Sequence, residues 1–134
     1  MKQVAFAAVA VFTLGVASLA QGQTAWEPVG ARNGAAASYD PASVQRAGTV
    51  VTTMVRYVGP EASMPKIPFA GAYLPSTSYQ EKMAIDCKAG TYAAQQTSGY
   101  SSAGRQLFLF NNGASMLPIA ERPELQTLQT KVCK

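Results

Sequence analysis

The chain has 134 residues, with 11 Lys and Arg against 7 Asp and Glu, and no His. The positive residues are scattered, so no charge run indicates a nucleic-acid site, and the lack of His excludes Ser-His-Asp and Cys-His catalysis. Two Cys without His do not make a usual zinc site, and no phosphate-binding or dinucleotide motif is present. We therefore expect no cofactor, no metal and no enzyme.

The first 20 residues have the pattern of a secretory signal peptide. Lys2 precedes an uncharged run of about 14 residues, Val4 to Ala17, and small residues stand at Ser18 and Ala20. A membrane anchor is the alternative, but this run is shorter than the roughly 20 residues that a spanning helix needs. We therefore expect cleavage after Ala20. Residues 21–134 would then form one small domain without an integral membrane segment.

Turn-forming residues stand just before the best strand of the chain. Proline fixes its own φ, and short polar side chains bond the backbone next to them, so this composition predicts a structural turn. The predicted turn residues are Asp40, Pro41, Ser43 and Gly48. Ahead of them, Trp26 is expected in the core, with a binding surface as the alternative, and the stretch 32–37 (RNGAAA) is expected to be flexible.

The segment 49–58 (TVVTTMVRYV) predicts a strand, because it is dense in β-branched and aromatic residues. Side chains alternate between the two faces of a strand. Thr52 and Arg56 mark the solvent face, so the opposite face is predicted to point into the core. That inner face carries Val51, Thr53, Val55 and Tyr57.

The second half of the chain predicts a loop and three more strands. Residues 59–72 contain three prolines and no regular period, which is typical of a long loop. The alternation in 78–87 (SYQEKMAIDC) predicts a half-buried strand with Cys87 on its inner face. Shorter strands are predicted at 91–97 and 105–110, with turns at 98–99, 101–104 and 111–113. Strands at these intervals indicate an antiparallel meander.

The C-terminal segment predicts a helix that begins at Pro123. Its apolar side chains fall on one face at three- and four-residue spacing: Leu125, Leu128 and Val132. In an oxidising compartment we expect Cys87 and Cys133 to form one disulfide, with two free thiols or a bridge between chains as the alternatives. The predicted fold is α+β: an antiparallel meander with a C-terminal α-helix tied to the sheet by a disulfide.

Two residue types are candidates for a functional site. The carboxylates of Asp40, Glu81 and Asp86 could pair for hydrolysis, but a turn role and strand positions are the better explanations. The tyrosines could serve an interface, although each is also a common strand residue. They are Tyr39, Tyr57, Tyr73, Tyr79, Tyr92 and Tyr100.

Four pieces of the sequence occur in an order that resembles a known family. They are Trp26, the segment 39–44 (YDPASV) with Arg46 and Gly48, the strand from Tyr79 to Asp86-Cys87, and Thr130-Lys131-Val132-Cys133. Over about residues 24–134 the chain is similar to the surface-adhesin protein E family of small exported bacterial proteins. The resemblance implies a sheet with a disulfide-bound C-terminal helix. It also implies a single turn between two strands at 40–43 and a hairpin at 46–48.

The resemblance also implies a function. The family's namesake is a surface adhesin that binds host extracellular-matrix and plasma proteins, and similar proteins occur as dimers. We therefore expect a non-enzymatic binding protein with a host-matrix or cell-envelope protein as its partner, and a homodimer is a possible assembly. A periplasmic inhibitor or accessory subunit of a cell-envelope enzyme is the alternative, with loop 59–72 as its inserting element. The lack of a lipidation Cys near the predicted cleavage site favours the periplasm over the outer surface.

Overall fold

The structure is a computed structural model that describes residues 25–64, 68–69, 72–73, 76–113 and 115–134. The signal peptide predicted at 1–20 lies outside the described residues. The loop predicted at 59–72 is described in part. It contains a 3₁₀ turn (Glu61–Ser63) and the buried Met64.

The described residues form ten strands and one α-helix. The strands are β1 (Glu27–Arg32), β2 (Ala35–Tyr39), β3 (Gln45–Ala47), β4 (Val50–Val58), β5 (Pro68–Phe69), β6 (Ala72–Tyr73), β7 (Ser78–Asp86), β8 (Thr91–Tyr100), β9 (Gln106–Asn111) and β10 (Leu117–Pro118). The helix α1 (Pro123–Val132) follows a 3₁₀ turn, Ile119–Glu121.

Eight of these strands form one antiparallel sheet. Its main order is β1-β2-β4-β7-β8-β10, while β3 pairs with β4 and β9 pairs with β8. The central strands β4 and β7 pair over their full lengths, from Val50 opposite Asp86 to Val58 opposite Ser78. Strands β5 and β6 form a separate two-residue ribbon. The predicted α+β fold, with its antiparallel meander and C-terminal helix, is confirmed.

Helix α1 covers one face of the sheet, here called the inner face, and the core lies between them. The buried and half-buried positions of β4 alternate strictly from Val51, so the predicted inner face of this strand is the one that is buried. Tyr57 on β4 stacks on Tyr79 of β7, with ring centroids 4.6 Å apart. From the helix side the core receives Leu125, Leu128 and Val132, which are the predicted apolar face.

The disulfide Cys87–Cys133 joins the end of β7 to the end of α1, with 5.6 Å between the Cα atoms. A ten-residue helix is marginal on its own, so its stability comes from packing and from this link. No free cysteine is present among the described residues.

The turn-forming residues predicted before β4 build a corner that lies against this strand. The structure places Asp40 at the start of a 3₁₀ turn (Pro41–Ser43), where its Oδ1 accepts a hydrogen bond from the Ala42 amide at 3.0 Å. The Ser43 hydroxyl accepts the Met54 amide of β4 at 2.9 Å and donates to the Asp40 carbonyl at 2.7 Å. In the gap between β2 and β3, no strand offers a backbone acceptor to the Met54 amide, and the Ser43 hydroxyl takes that role.

Gly48 then turns the chain from β3 into β4 with φ of +63°. That value lies in the left-handed region, which glycine adopts without strain. Ala47 pairs with Val50, so the turn between the two strands is tight.

Two predictions for the strands were wrong. The stretch expected to be flexible at 32–37 is a tight turn at Asn33 and Gly34, followed by β2, in which Ala35 and Ala37 are buried. Strand β8 continues through the turn predicted at 98–99. Gly99 is needed there to make room for a ring, because a Cβ on it would lie 2.2 Å from the Phe108 side chain of β9.

Replacement of both Cys87 and Cys133 by Ala should lower the free energy of unfolding by about 4 kcal/mol, since the bridge closes a loop of 46 residues in the unfolded chain. Urea unfolding of the oxidised protein and the variant measures this difference. A reducing agent should destabilise the wild-type protein and leave the variant unchanged. Equal stability of the two oxidised proteins would contradict the prediction.

Ser43→Ala should lower the free energy of unfolding by about 1–3 kcal/mol, because the Met54 amide would lose its acceptor in a half-buried position. Ser43→Thr keeps the hydroxyl and is the matched control. Hydrogen exchange of the Met54 amide reports on the same bond, and it should accelerate in the Ala variant alone. An unchanged exchange rate would show that the hydroxyl does not hold this amide.

Candidate functional site

A cluster of polar side chains is buried between the start of α1 and the inner face of the sheet. This buried cluster consists of Tyr57 on β4, Glu81 on β7, Arg122 just before the helix and Glu124 in its first turn. Arg122 is 7% exposed and Glu124 is 1% exposed. Charged groups at such positions require close partners, because burial removes their hydration.

Arg122 is the centre of this cluster. Its Nη2 donates to Glu124 Oε2 and to the Tyr57 hydroxyl, both at 2.7 Å, and its Nε donates to Glu124 Oε2 at 3.1 Å. The Tyr57 hydroxyl donates to the same carboxylate oxygen at 2.6 Å. Arg122 Nη2 also lies 3.5 Å from Glu81 Oε1. The guanidinium additionally lies over the Tyr92 ring, 5.0 Å from its centroid.

Burial changes the proton affinities in the cluster. It raises the pKa of the Tyr57 hydroxyl above its ordinary range, against the attraction of Arg122. It also raises the pKa of the Glu81 carboxyl, and the positive charges of Arg122 and Arg32 reduce this rise without cancelling it. For Tyr79, burial and then the Glu81 charge raise the pKa to about 12. The tyrosines therefore stay neutral, and the cluster acts as a hydrogen-bonded clamp for the helix.

A cleft of about 440 Å³ opens beside the cluster, between the β1–β2 turn and the start of the helix. Its wall includes Arg32, Tyr92, Glu121, Arg122 and Glu124. The charges on this wall balance in sign. Arg122 Nε and Nη2 on this wall are both bonded to Glu124 Oε2. This arrangement explains the stability of the helix start and does not specify a ligand.

The three carboxylates considered for hydrolysis have separate structural surroundings. Asp40 caps its 3₁₀ turn, and Asp86 Oδ1 accepts the Lys88 and Ala89 amides at 3.0 and 3.1 Å. Glu81 instead belongs to the buried cluster. Among the described residues, no group of three His, Cys, Asp or Glu side chains could hold a metal ion.

Sequence reasoning missed Arg122 and Glu124. The helical spacing did contain a signal for one of them, because Glu124 lies four residues before Leu128 and eight before Val132 on the buried face. An acidic residue on an apolar helix face needs a buried partner, and Arg122 is two residues away.

The opposite face of the sheet, here called the outer face, is not covered by α1. Cross-strand pairing places Arg56 between Ser38 and Gln80, and places Lys82 beside Met54. Lys82 is exposed, and Met54, Arg56 and Gln80 are half-buried. The small side chains of this face, Ala84, Ala93 and Ser98, are buried. A shallow groove of about 210 Å³ lies here, lined by Ser43, Gln45, Thr52, Thr53, Met54 and Lys82.

Trp26 belongs to this outer face. The prediction that Trp26 packs in the core was wrong: it precedes β1 and is half-buried, and the Arg56 guanidinium lies 4.4 Å from the centroid of its ring. Such a cation–π contact covers the ring with a side chain of a different strand. This pairing presents an aromatic ring and a cation together at the surface.

The fold and the two faces define a small, disulfide-linked α+β domain with one face packed and one face open. The family model of surface-adhesin protein E matches residues 26–134, and the chain belongs to this family. The family resemblance seen in the sequence is thereby confirmed. No curated protein and no solved structure matches the chain.

Membership of an adhesin family indicates an exported protein with a binding role rather than a catalytic one. Within the described part of the chain, no helix has the length and apolar character needed to cross a membrane.

Glu81→Gln should change how stability depends on pH. The folded protein holds the Glu81 proton more tightly than the unfolded chain, so this carboxyl favours folding most at low pH. That contribution is lost as pH rises from the ordinary value of 4.5 through the raised pKa. The free energy of unfolding of the variant, relative to wild type, should therefore increase with pH over this window.

Urea unfolding at a series of pH values measures this trend. Glu61→Gln removes one exposed carboxylate and controls for the change in net charge. Parallel pH profiles for wild type and Glu81→Gln would contradict the assigned pKa shift.

Proposed function

We propose that this protein is an exported, non-enzymatic adhesin-like domain that binds a protein ligand through the outer face of its sheet. Family membership supports the class of function. The observation that supports the choice of surface is the Trp26–Arg56 pair on the uncovered face. We also propose that residues 1–20 are a cleaved signal peptide and that residues 21–134 form the exported domain.

The two faces of the sheet have separate tasks in this proposal. Every large inner-face side chain of β4 is committed to the core under α1. On the outer face the same strand presents Thr52, Met54 and Arg56, which are half-buried and lie on the side of the sheet away from α1. A ligand can therefore approach the outer face without disturbing the core.

The residue types of the outer face suit a protein interface. Trp, Arg, Tyr and Met are enriched where proteins bind one another. The outer face contributes Trp26, Met54, Arg56 and Tyr100. Its exposed charge in the middle of the sheet is Lys82, while Asp86 at its end bonds the turn that follows β7. The complementary ligand surface would be neutral or acidic.

The scaffold beneath this surface is rigid. Strands β4 and β7, which provide Arg56 and Lys82, pair with each other over nine residues each and are flanked by strands on both sides. Side chains on such strands lose little backbone freedom when a ligand binds, which reduces the cost of association.

The location of the domain in the cell determines where its protein ligand should be sought. Protease treatment of whole cells degrades the domain if it is displayed on the surface, and the ligand is then sought among extracellular-matrix and plasma proteins. Protection in whole cells, with release by periplasmic extraction, directs the search to cell-envelope proteins.

Lys82→Glu should weaken binding to the captured ligand by about tenfold, because it reverses the charge at the centre of the proposed surface. Lys88→Glu makes the same charge change in the exposed turn after β7 and is the matched control. Surface plasmon resonance with the oxidised protein measures both affinities. Equal weakening by the two variants would indicate a general charge effect, and no weakening by Lys82→Glu would place the binding surface elsewhere.

A further inference from the structure

Strand β9 is an edge of the sheet whose backbone is open to a further strand. Among the described residues it pairs with β8 alone. The Asn112 amide donates to the Gln95 carbonyl of β8 at 2.8 Å. Hydrogen-bonded and non-bonded positions alternate along an antiparallel pair, so the N–H and C=O groups of Leu109 and Asn111 point away from β8. These groups can bond the backbone of an added strand.

The side chains of β9 favour such a strand. The sequence of β9 is QLFLFN, without charge or proline. Leu109 is 50% exposed on the outer face and Phe110 is 37% exposed on the inner face. The register of β9 against β8 is regular from Phe108 to Asn111. A strand beside β9 would therefore cover apolar side chains on both faces of the sheet.

The edge formed by β1 is protected by contrast. Strand β1 contains Pro28, has an irregular register between Pro28 and Gly30, and has a charged residue at each end, Glu27 and Arg32. Proline, bulges and charge are the features that prevent an edge strand from pairing with another chain. Helix α1 also packs against β1. The regular part of β9 has none of these protections.

We propose that β9 binds an extended segment of a partner protein, which pairs with it antiparallel and adds a strand to the sheet. In this mode of recognition the main-chain hydrogen bonds provide affinity, and alternate side chains provide specificity. The inference rests on the proposed binding role, and it states the conformation in which part of the protein ligand is bound.

The β9 edge is continuous with the proposed outer-face surface. Leu109 lies opposite Ser98 of β8, and Ser98 lies opposite Gln80 of β7. Gln80 in turn lies opposite Arg56 of β4, the partner of the Trp26 ring. Neighbouring strands are about 4.8 Å apart, so this row places Arg56 roughly 15 Å from β9. A protein that covers Arg56 can therefore reach the edge with an adjoining segment.

Charge indicates the chemistry of the bound segment. Residues 91–113 contain one charged residue, Arg105, which is exposed and directly precedes β9. Opposite charges on paired strands stabilise the pair, and like charges destabilise it. The complementary segment therefore has apolar side chains opposite Leu109 and Phe110, an acidic side chain opposite Arg105, and no Lys or Arg.

The test uses a synthetic peptide, acetyl-Thr-Tyr-Val-Thr-Val-Thr-Glu-amide. When it pairs antiparallel with β9, it places Val opposite Leu109, Tyr opposite Phe110 and Glu opposite Arg105. Amide exchange with solvent, measured by NMR on the exported, oxidised protein, should slow at Leu109 and Asn111 when the peptide is added. Unchanged exchange at both amides in millimolar peptide would overturn the proposal. Protection of these amides before the peptide is added, increasing with protein concentration, would show a second copy on β9 and would also overturn it.

Two N-methylated forms of the peptide separate backbone pairing from side-chain contact. Alternate N–H groups of an added strand face β9, and in this register they include those of the two Val residues. N-methylation of both Val residues should weaken binding by about tenfold or more, because it removes hydrogen bonds to β9. N-methylation of the Thr that follows each Val is the matched control and should leave binding unchanged. Equal weakening by the two forms would contradict strand addition.

Variants of the protein separate this inference from the proposed outer-face surface. Leu109→Pro removes an outward N–H group without removing a bond to β8, and it should weaken peptide binding more than Leu109→Ala does. Lys82→Glu changes the outer face away from the edge and should leave peptide binding unchanged. Weaker peptide binding in Lys82→Glu would place the peptide on the outer face and overturn strand addition. Peptide binding at β9 together with no effect of Lys82→Glu on the captured ligand would uphold strand addition and reject the outer-face surface.

Discussion

The burial of one guanidinium group determines how the helix sits on the sheet. Arg122 contacts Tyr57 on β4, Glu81 on β7 and Glu124 on α1, so it joins three elements within hydrogen-bond or ion-pair distance. Neither carboxylate is stable in this position without it, because an unpaired buried charge costs several kcal/mol. The start of the helix is therefore restricted to one location, and the disulfide restricts its other end at β7.

A helix attached at both ends leaves the two sheet faces unequal. The inner face is filled by apolar side chains and by the clamp around Arg122, and it supplies the stability of the fold. The outer face contributes little to that core, so its residues are free to serve recognition. Because neighbouring positions on β4 and β7 alternate between these faces, the same two strands carry the core side and the side proposed for binding.

The sequence was sufficient to predict the elements in which the spacing of apolar residues is regular. The alternation in β4 and β7 and the helical spacing after Pro123 each reflect one buried face, and such a pattern is local. Trp26 could not be placed in this way, because its position depends on Arg56 of a different strand. The turn at Asn33 and Gly34 depends on positive φ angles, 52° and 87°, that allow β1 to fold back on β2. Gly99 was wrongly predicted to form a turn. Its lack of a side chain instead makes room for the Phe108 ring of the neighbouring strand.

The clamp was hidden from sequence reasoning because its members lie far apart in the chain. Tyr57 and Arg122 are 65 residues apart, so it is the tertiary fold that brings them together. Glu124 gave a local signal, an acidic residue on an apolar helix face, but Glu81 was judged by its strand position alone. Polar residues at inward positions are best assessed as a set, because burial is tolerated only when they satisfy one another.

The position of α1 at the end of the chain order has a consequence for biogenesis. The strands precede the helix in the chain, so the apolar face of the sheet is synthesised before the segment that covers it. Cys87 likewise precedes its partner by 46 residues, so the bridge cannot close until the segment with Cys133 is present. A chain that has not yet gained α1 therefore exposes the whole inner face of the sheet and an unpaired Cys87 thiol.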